Sequence, residues 1–241
     1  MSRRHEYSQH FLSTPKIVAE LIGHSNIKKN DTVYDLGAGS GIISDTLARR
    51  VKEVTAVEIE PGALTQLQAN MRIHSNVKIV AQDIMEFTPG DRPYKIFANP
   101  PFSVIAPLVR RYTSLENSPK TMYLIVQKQF ALKTVPSERH FTSQLGVQLA
   151  PYYEARIRKP LKRTDFTPPP AVDTVLLEFK KREVSQLPLK EMQQYQAFVT
   201  DCFSDPKKLE AASRKLTYKL TRHKPSELLP ATWLELYTLQ S

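Results

Sequence analysis

The chain has 241 residues, 41% of them hydrophobic and 24% charged, which fits one or two globular domains. No apolar run approaches the ~18 residues that span a bilayer, "MSRRHEYSQHFLSTP" lacks the apolar core of a secretory signal, and the single cysteine, Cys202, excludes an intrachain disulfide and suits a reducing cytoplasm. The formal net charge of +10 makes nucleic acid the first partner to consider, against the plainer alternative of a solvated basic surface.

Thr14-Pro15 reads as an N-cap followed by proline at the first helical position, opening a helix over "PKIVAELIGH". Next come "TVYDLG", "EVTAVEI" and "VKIVAQDI", short β-branched runs separated by the helical patterns "GIISDTLARRV" and "GALTQLQANMRI". "YKIFAN" and "TMYLIVQ" continue the alternation across "VIAPLVRRYTSL". Strands alternating with helices predict an α/β fold with a mostly parallel sheet covered on both faces. "YYEARIRKPL" and "TVLLEFKKR", joined by a proline-rich loop from Arg163 to Val172, predict an antiparallel pair at the sheet edge. After about Arg182 the texture turns helical in "KEMQQYQAFVTDCF", "PKKLEAASRKLTYKL" and "PSELLPATWLELYTL". The expected division is therefore a domain at 1–182 and a small α-helical domain at 183–241.

Three strand ends carry candidate binding residues. "VYDLGAGSG" places Gly37, Gly39 and Gly41 between a strand and a helix, where glycine permits a tight turn and close backbone approach. Glu58 ends the next strand, roughly twenty residues on, where a nucleotide fold places an acid for the ribose hydroxyls. Asp83 ends the third, placed to meet the exocyclic amine of an adenine. Each acid alone reads as well as a helix cap; their succession favours a ligand crevice at the strand ends. A dinucleotide and S-adenosylmethionine both fit such a crevice. The turn reads G-x-G-x-G rather than the pyrophosphate-binding G-x-G-x-x-G, and no later motif suggests a nicotinamide site.

The fourth strand end, "ANPPF", favours methyl transfer. An adenine amine is a poor nucleophile because its lone pair is delocalised into the ring. The Asn99 oxygen and the Pro100 carbonyl can take both amine hydrogens and aim the lone pair at a methyl group, with the prolines fixing those acceptors in place. Phe102 can stack on the base, worth roughly 1–3 kcal/mol. No general base is required beforehand, since the developing cation can lose a proton to water afterwards. The plainer reading is a strand-to-helix turn with a buried phenylalanine.

These motifs resemble those of the adenine-N6 rRNA methyltransferases, which include the macrolide-resistance (Erm) enzymes and the small-subunit rRNA dimethyltransferases. The resemblance runs from Tyr7 to Lys181 and rests on "SQHFL", "DLGAGSG", "VEIE", "QDI", "ANPPF", "YLIVQKQFA" and "FTPPPAVDTVLLEF". It implies a Rossmann-like class I methyltransferase in which His10, Leu12, Gly37, Gly39, Glu58, Ile59, Asp83, Ile84 and Asn99 bind S-adenosylmethionine. Asn99, Pro100 and Phe102 would act in catalysis, with Phe102, Phe166 and Arg163 at the substrate and no metal. His10 stands where the family usually has Asn, and Pro100 replaces an aliphatic residue. The resulting N-P-P-F is shared with DNA adenine and protein glutamine methyltransferases.

"YKIFANPPF" and "MYLIVQKQFA" look closer to the Erm branch. That branch implies methylation of N6 of an adenine in 23S rRNA, resistance to macrolide, lincosamide and streptogramin B drugs, and a cytoplasmic monomer. Alternatives are a small-subunit rRNA dimethyltransferase, a DNA adenine methyltransferase, or a non-catalytic RNA-binding factor on the same scaffold. Arg156, Arg158, Lys159, Lys162 and Arg163 form a cationic cluster suited to RNA phosphates, or to protecting an edge strand. Lys207, Lys208, Arg214, Lys215, Lys219 and Arg222 offer a second cationic face, while Trp233 and Tyr237 are expected in a core.

Overall fold

The computed structural model describes residues 10–137, 141–220 and 224–240; Tyr7, Ser8, Gln9 and Arg222 lie outside the described residues. The chain starts with a two-residue strand β1 (Phe11–Leu12) and helix α1 (Pro15–Gly23). Thr14 caps α1 by accepting the Ile17 N–H, and Pro15 occupies the first turn, where a missing N–H costs nothing. There follow β2 (Thr32–Leu36), α2 (Ile42–Ala48), β3 (Glu53–Glu58), α3 (Pro61–Met71) and β4 (Val77–Ala81). Then come β5 (Lys95–Ala98), α4 (Ile105–Thr113), β6 (Thr121–Gln127), α5 (Lys128–Thr134) and α6 (Gln144–Leu149). Strands β7 (Tyr153–Leu161), β8 (Phe166–Thr167) and β9 (Thr174–Lys181) precede helices α7 (Met192–Ser204), α8 (Pro206–Ser213) and α9 (Pro230–Thr238).

Seven strands form one sheet in the order β4-β3-β2-β5-β6-β9-β7. β2 pairs in parallel with β3 and β5, β3 with β4, and β5 with β6. Their β-branched and aromatic runs are buried throughout the centre, as in Val54, Ala56 and Val57 of β3 or Ile96 and Phe97 of β5, because helices cover both faces. β9 and β7 complete the mixed sheet as the edge pair anticipated from their sequences.

The chain steps outward from β2 to β3 to β4, then returns to place β5 on the other side of β2. That reversal opens a crevice beyond the carboxyl ends of β2 and β5. A separate antiparallel pair, β1 with β8, sets Phe11 opposite Thr167 and Leu12 opposite Phe166. Leu12 and Phe166 both enter the core that also holds Val18, Val33, Leu47 and Phe97.

By compactness the chain forms two units, Met1–Lys128 with Ile157–Glu178, and Gln129–Arg156 with Phe179–Ser241. The second unit takes in α5 and α6 besides the C-terminal helices, whereas the change in sequence texture falls at Arg182. Texture marks where helices resume along the chain; compactness marks which segments pack together. Within this unit Trp233 and Tyr237 are core residues, as expected. Trp233 stacks on Phe203 with centroids 5.5 Å apart, and Tyr237 meets Tyr195 edge-on at 5.3 Å.

Candidate functional site

The turn after β2 needs its glycines. Gly37, Gly39 and Gly41 have φ of 77°, 57° and 97°, the left-handed region in which a side chain is strained. At Gly41 a Cβ would also lie 2.6 Å from Leu67 Cδ1 and 2.9 Å from Met71 Cε. The N–H groups of Gly37 and Ala38 both donate to Val57 O, at 2.9 and 3.0 Å, which ties the turn to β3.

Glu58 sits at the end of β3, buried, and is held by three backbone donors. Gly39 N–H donates to Oε2, and Ile59 and Glu60 N–H donate to Oε1, each at 2.8 Å. A carboxylate has about four acceptor directions, so one on Oε2 is left for a ligand hydroxyl. After β4, Asp83 Oδ1 accepts the Met85 N–H at 2.8 Å. The same turn is braced where Tyr112 donates to Ile84 O at 2.8 Å.

After β5, the Asn99 amide is oriented by its own donor: Nδ2 donates to His10 O at 2.7 Å, so Oδ1 is left as an acceptor. The His10 ring contacts Pro168 O through Nδ1 at 2.8 Å and lies 5.9 Å from the Phe102 ring.

These strand ends line a cleft of about 390 Å³, with Phe11, Leu12, Ile59, Ile84 and Val104 as apolar walls. Its ionisable lining among the described residues is His10, Glu58, Glu60 and Asp83, with no lysine or arginine. An acid-lined cleft in a chain of net charge +10 disfavours a pyrophosphate and suits a cationic ligand with a nucleoside body.

The sequence reading missed two residues here. Asp35, in β2, is completely buried; Ser44 Oγ donates to its Oδ2 at 2.7 Å while Oδ1 has no partner among the described residues. Burial pushes this carboxyl up to about 7, opposed by the Ser44 hydrogen bond and helped by the nearby Glu58 charge. The signal was visible as an acid inside an otherwise apolar strand. Phe11 is the second: it lines the cleft, 45% exposed, and its ring lies 3.3 Å from where a Gly39 Cβ would stand.

Other expected residues fall elsewhere. Pro100 is buried and Phe102 half-buried, and both follow Asn99 at the edge of the cleft rather than lining it. Phe166 is only 2% exposed, because its pairing opposite Leu12 turns the ring into the core. Arg163 lies 3.9 Å from Asp173, an exposed pair. The cationic cluster is largely engaged within the protein: Arg156 pairs with Glu154, Arg158 with Glu178 and Lys159 with Glu20. Lys162 is the member without an ion pair among the described residues. On the C-terminal helices, Lys208 pairs with Asp201 and Arg214 with Glu210.

The switch-point crevice, the glycine turn and the acids at successive strand ends define a Rossmann-like methyltransferase. The profile of the ribosomal RNA adenine dimethylase family matches residues 1–228, and the chain belongs to that family. An rRNA adenine N-6-methyltransferase from Limosilactobacillus reuteri is 31% identical over 193 residues, 80% of this chain and 77% of that one. Ribosomal RNA small subunit methyltransferase A from Streptococcus thermophilus is 26% identical over 196 residues, 77% of this chain and 67% of that one. The crystal structure of 23S rRNA methyltransferase ErmE matches with a TM-score of 0.79 at 22% identity, covering 95% of this chain and 98% of that one, a likeness of fold.

Proposed function

We propose that this protein methylates N6 of an adenine in 23S rRNA, using S-adenosylmethionine, and that the modification confers macrolide, lincosamide and streptogramin B resistance. The observation that carries the reading is Asn99, whose Nδ2 is engaged by His10 O so that Oδ1 stands as a fixed acceptor at the acid-lined cleft. The identity is higher to the L. reuteri rRNA adenine N-6-methyltransferase, 31%, than to the S. thermophilus small-subunit enzyme, 26%, which weighs against the small-subunit branch.

Glu58 would hold the cofactor's ribose, Asp83 and Ile84 its adenine, and the His10–Leu12 segment its methionine end, with Gly37 and Gly39 allowing close approach and Ile59 forming a wall. The cofactor supplies an electrophilic methyl group, and its positive charge suits three surrounding carboxylates. At the substrate, Asn99 Oδ1 and the Pro100 carbonyl take the two amine hydrogens and turn the nitrogen lone pair out of conjugation. The prolines hold these acceptors before the substrate arrives, so little reorganisation is left for the reaction. Phe102 stacks on the extruded base. Phe11, exposed in the cleft, is a better-placed second aromatic than the buried Phe166.

Asn99→Ala should lower single-turnover methyl transfer at saturating cofactor by about 100-fold, the order lost with one preorganised polar group at a reacting centre. Transfer at the wild-type rate would remove Asn99 from the chemistry and the reading with it.

A further inference from the structure

We propose that His10 is the proton acceptor of the transfer, its Nε2 taking the proton from N6 as the methyl–nitrogen bond forms, directly or through one water. The inference rests on the reading above and assigns a base where that reading needs only solvent.

Pro168 O can only accept, so its 2.8 Å contact requires a proton on Nδ1. A neutral imidazole with Nδ1 protonated has a bare Nε2, and this nitrogen has no hydrogen-bond partner among the described residues. Backbone pairing fixes the segment: Phe11 faces Thr167, Leu12 faces Phe166, and Ser13 N–H donates to Asp165 O at 2.9 Å. The His10 main chain holds the Asn99 amide, and its ring rests beside Phe102. One residue is thus tied to both side chains assigned to the adenine.

The transfer releases a proton from N6. The N6 lone pair forms the bond to carbon, the carbon–sulfur pair stays on sulfur as a neutral thioether, and N6 becomes a cation that must lose a proton. Asn99 Oδ1 and the Pro100 carbonyl are neutral oxygens too weakly basic to keep it. His10 carries the charge to solvent in the next step. The other titratable groups lining the same cleft are Glu58, Glu60 and Asp83, and Asp165, just before β8, accepts the Ser13 N–H through its main-chain carbonyl. Glu58 is already held by three donors, and Asp165 Oδ2 accepts the Lys162 N–H. An asparagine at position 10 could not serve.

The test compares full-length wild type, His10→Asn and His10→Gln. The readouts are calorimetric affinity for S-adenosylhomocysteine, 15N spectra of the imidazole, and single-turnover transfer at saturating cofactor from about pH 5.5 to 9. Expected are a wild-type spectrum showing Nδ1 protonated and Nε2 bare and, with cofactor saturating for each protein, transfer at least tenfold slower in both variants. The pH profile of wild type should differ in shape from those of both variants, which should keep any limb due to the acids. Variants with wild-type rates and pH profiles, or an Nε2-protonated ring, overturn the proposal. A loss of product affinity with unchanged saturated rate assigns His10 to cofactor binding instead. If wild type itself fails to methylate adenine, the parent reading falls, a result distinct from any difference among the three proteins.

Discussion

Asp35 shows what a single buried group does to the whole chain. It lies within β2 with no exposed surface, an Oδ1 unpartnered among the described residues, and a carboxyl that burial raises from 3.8 to about 7. Between these values the folded protein keeps a proton that the unfolded chain has lost. Stability from this group is therefore present at low pH and declines as pH rises from about 4 to 7, by at most about 4 kcal/mol if the full shift counts. Asp35→Asn should remove the decline. Urea midpoints measured across that window should fall in wild type relative to the variant, and parallel curves would contradict the assignment. Glu58 differs in its partners: though buried, it accepts from three backbone donors. Both acids are visible in the sequence, but only Glu58 stood at the spacing of a known ribose contact. Asp35 looked like part of the strand, and its burial emerges only when α2 packs over it through Ser44.

The glycine turn is where one element sets the position of the others. Gly41 caps α2 in the left-handed region, and Leu67 and Met71 of α3 fill the space a Cβ would occupy. Gly41→Ala should destabilise the fold by about 1–3 kcal/mol from backbone strain and crowding. Denaturant unfolding would show it, and an unchanged midpoint would mean that the turn relaxes freely. At this scale the central strands were legible, because buried parallel strands are continuous β-branched runs and the helices carry caps such as Thr14-Pro15. The β1–β8 pair was not. Two residues show no periodicity, and a pairing across more than 150 positions leaves no local trace. That unseen pairing is what turns Phe166 inward and presents His10 and Phe11 to the cleft. The cations of β7 and the loop after it mark a related limit: sequence shows charge, whereas their pairing with Glu20, Glu154 and Glu178 shows only in the fold.

Over the whole molecule, charge is distributed by task. In a chain with 34 basic and 24 acidic residues, the ionisable groups lining the cleft at the strand ends are, among the described residues, three acids and one histidine. The excess of positive charge elsewhere suits a polyanion, and the cleft suits a sulfonium. Composition announced the first and could not announce the second, since the cleft forms from four separate strand ends. The compact units likewise escape a linear reading, because Gln129–Arg156 joins the C-terminal helices only in three dimensions. The most direct test of the account is mass mapping of adenosines in naked 23S rRNA incubated with the protein and S-adenosylmethionine, with 30S particles and DNA treated in parallel. N6-methylated adenosine at a discrete position of 23S rRNA is the predicted result. Modification confined to 30S particles or to DNA, or found in none of the three, would contradict it.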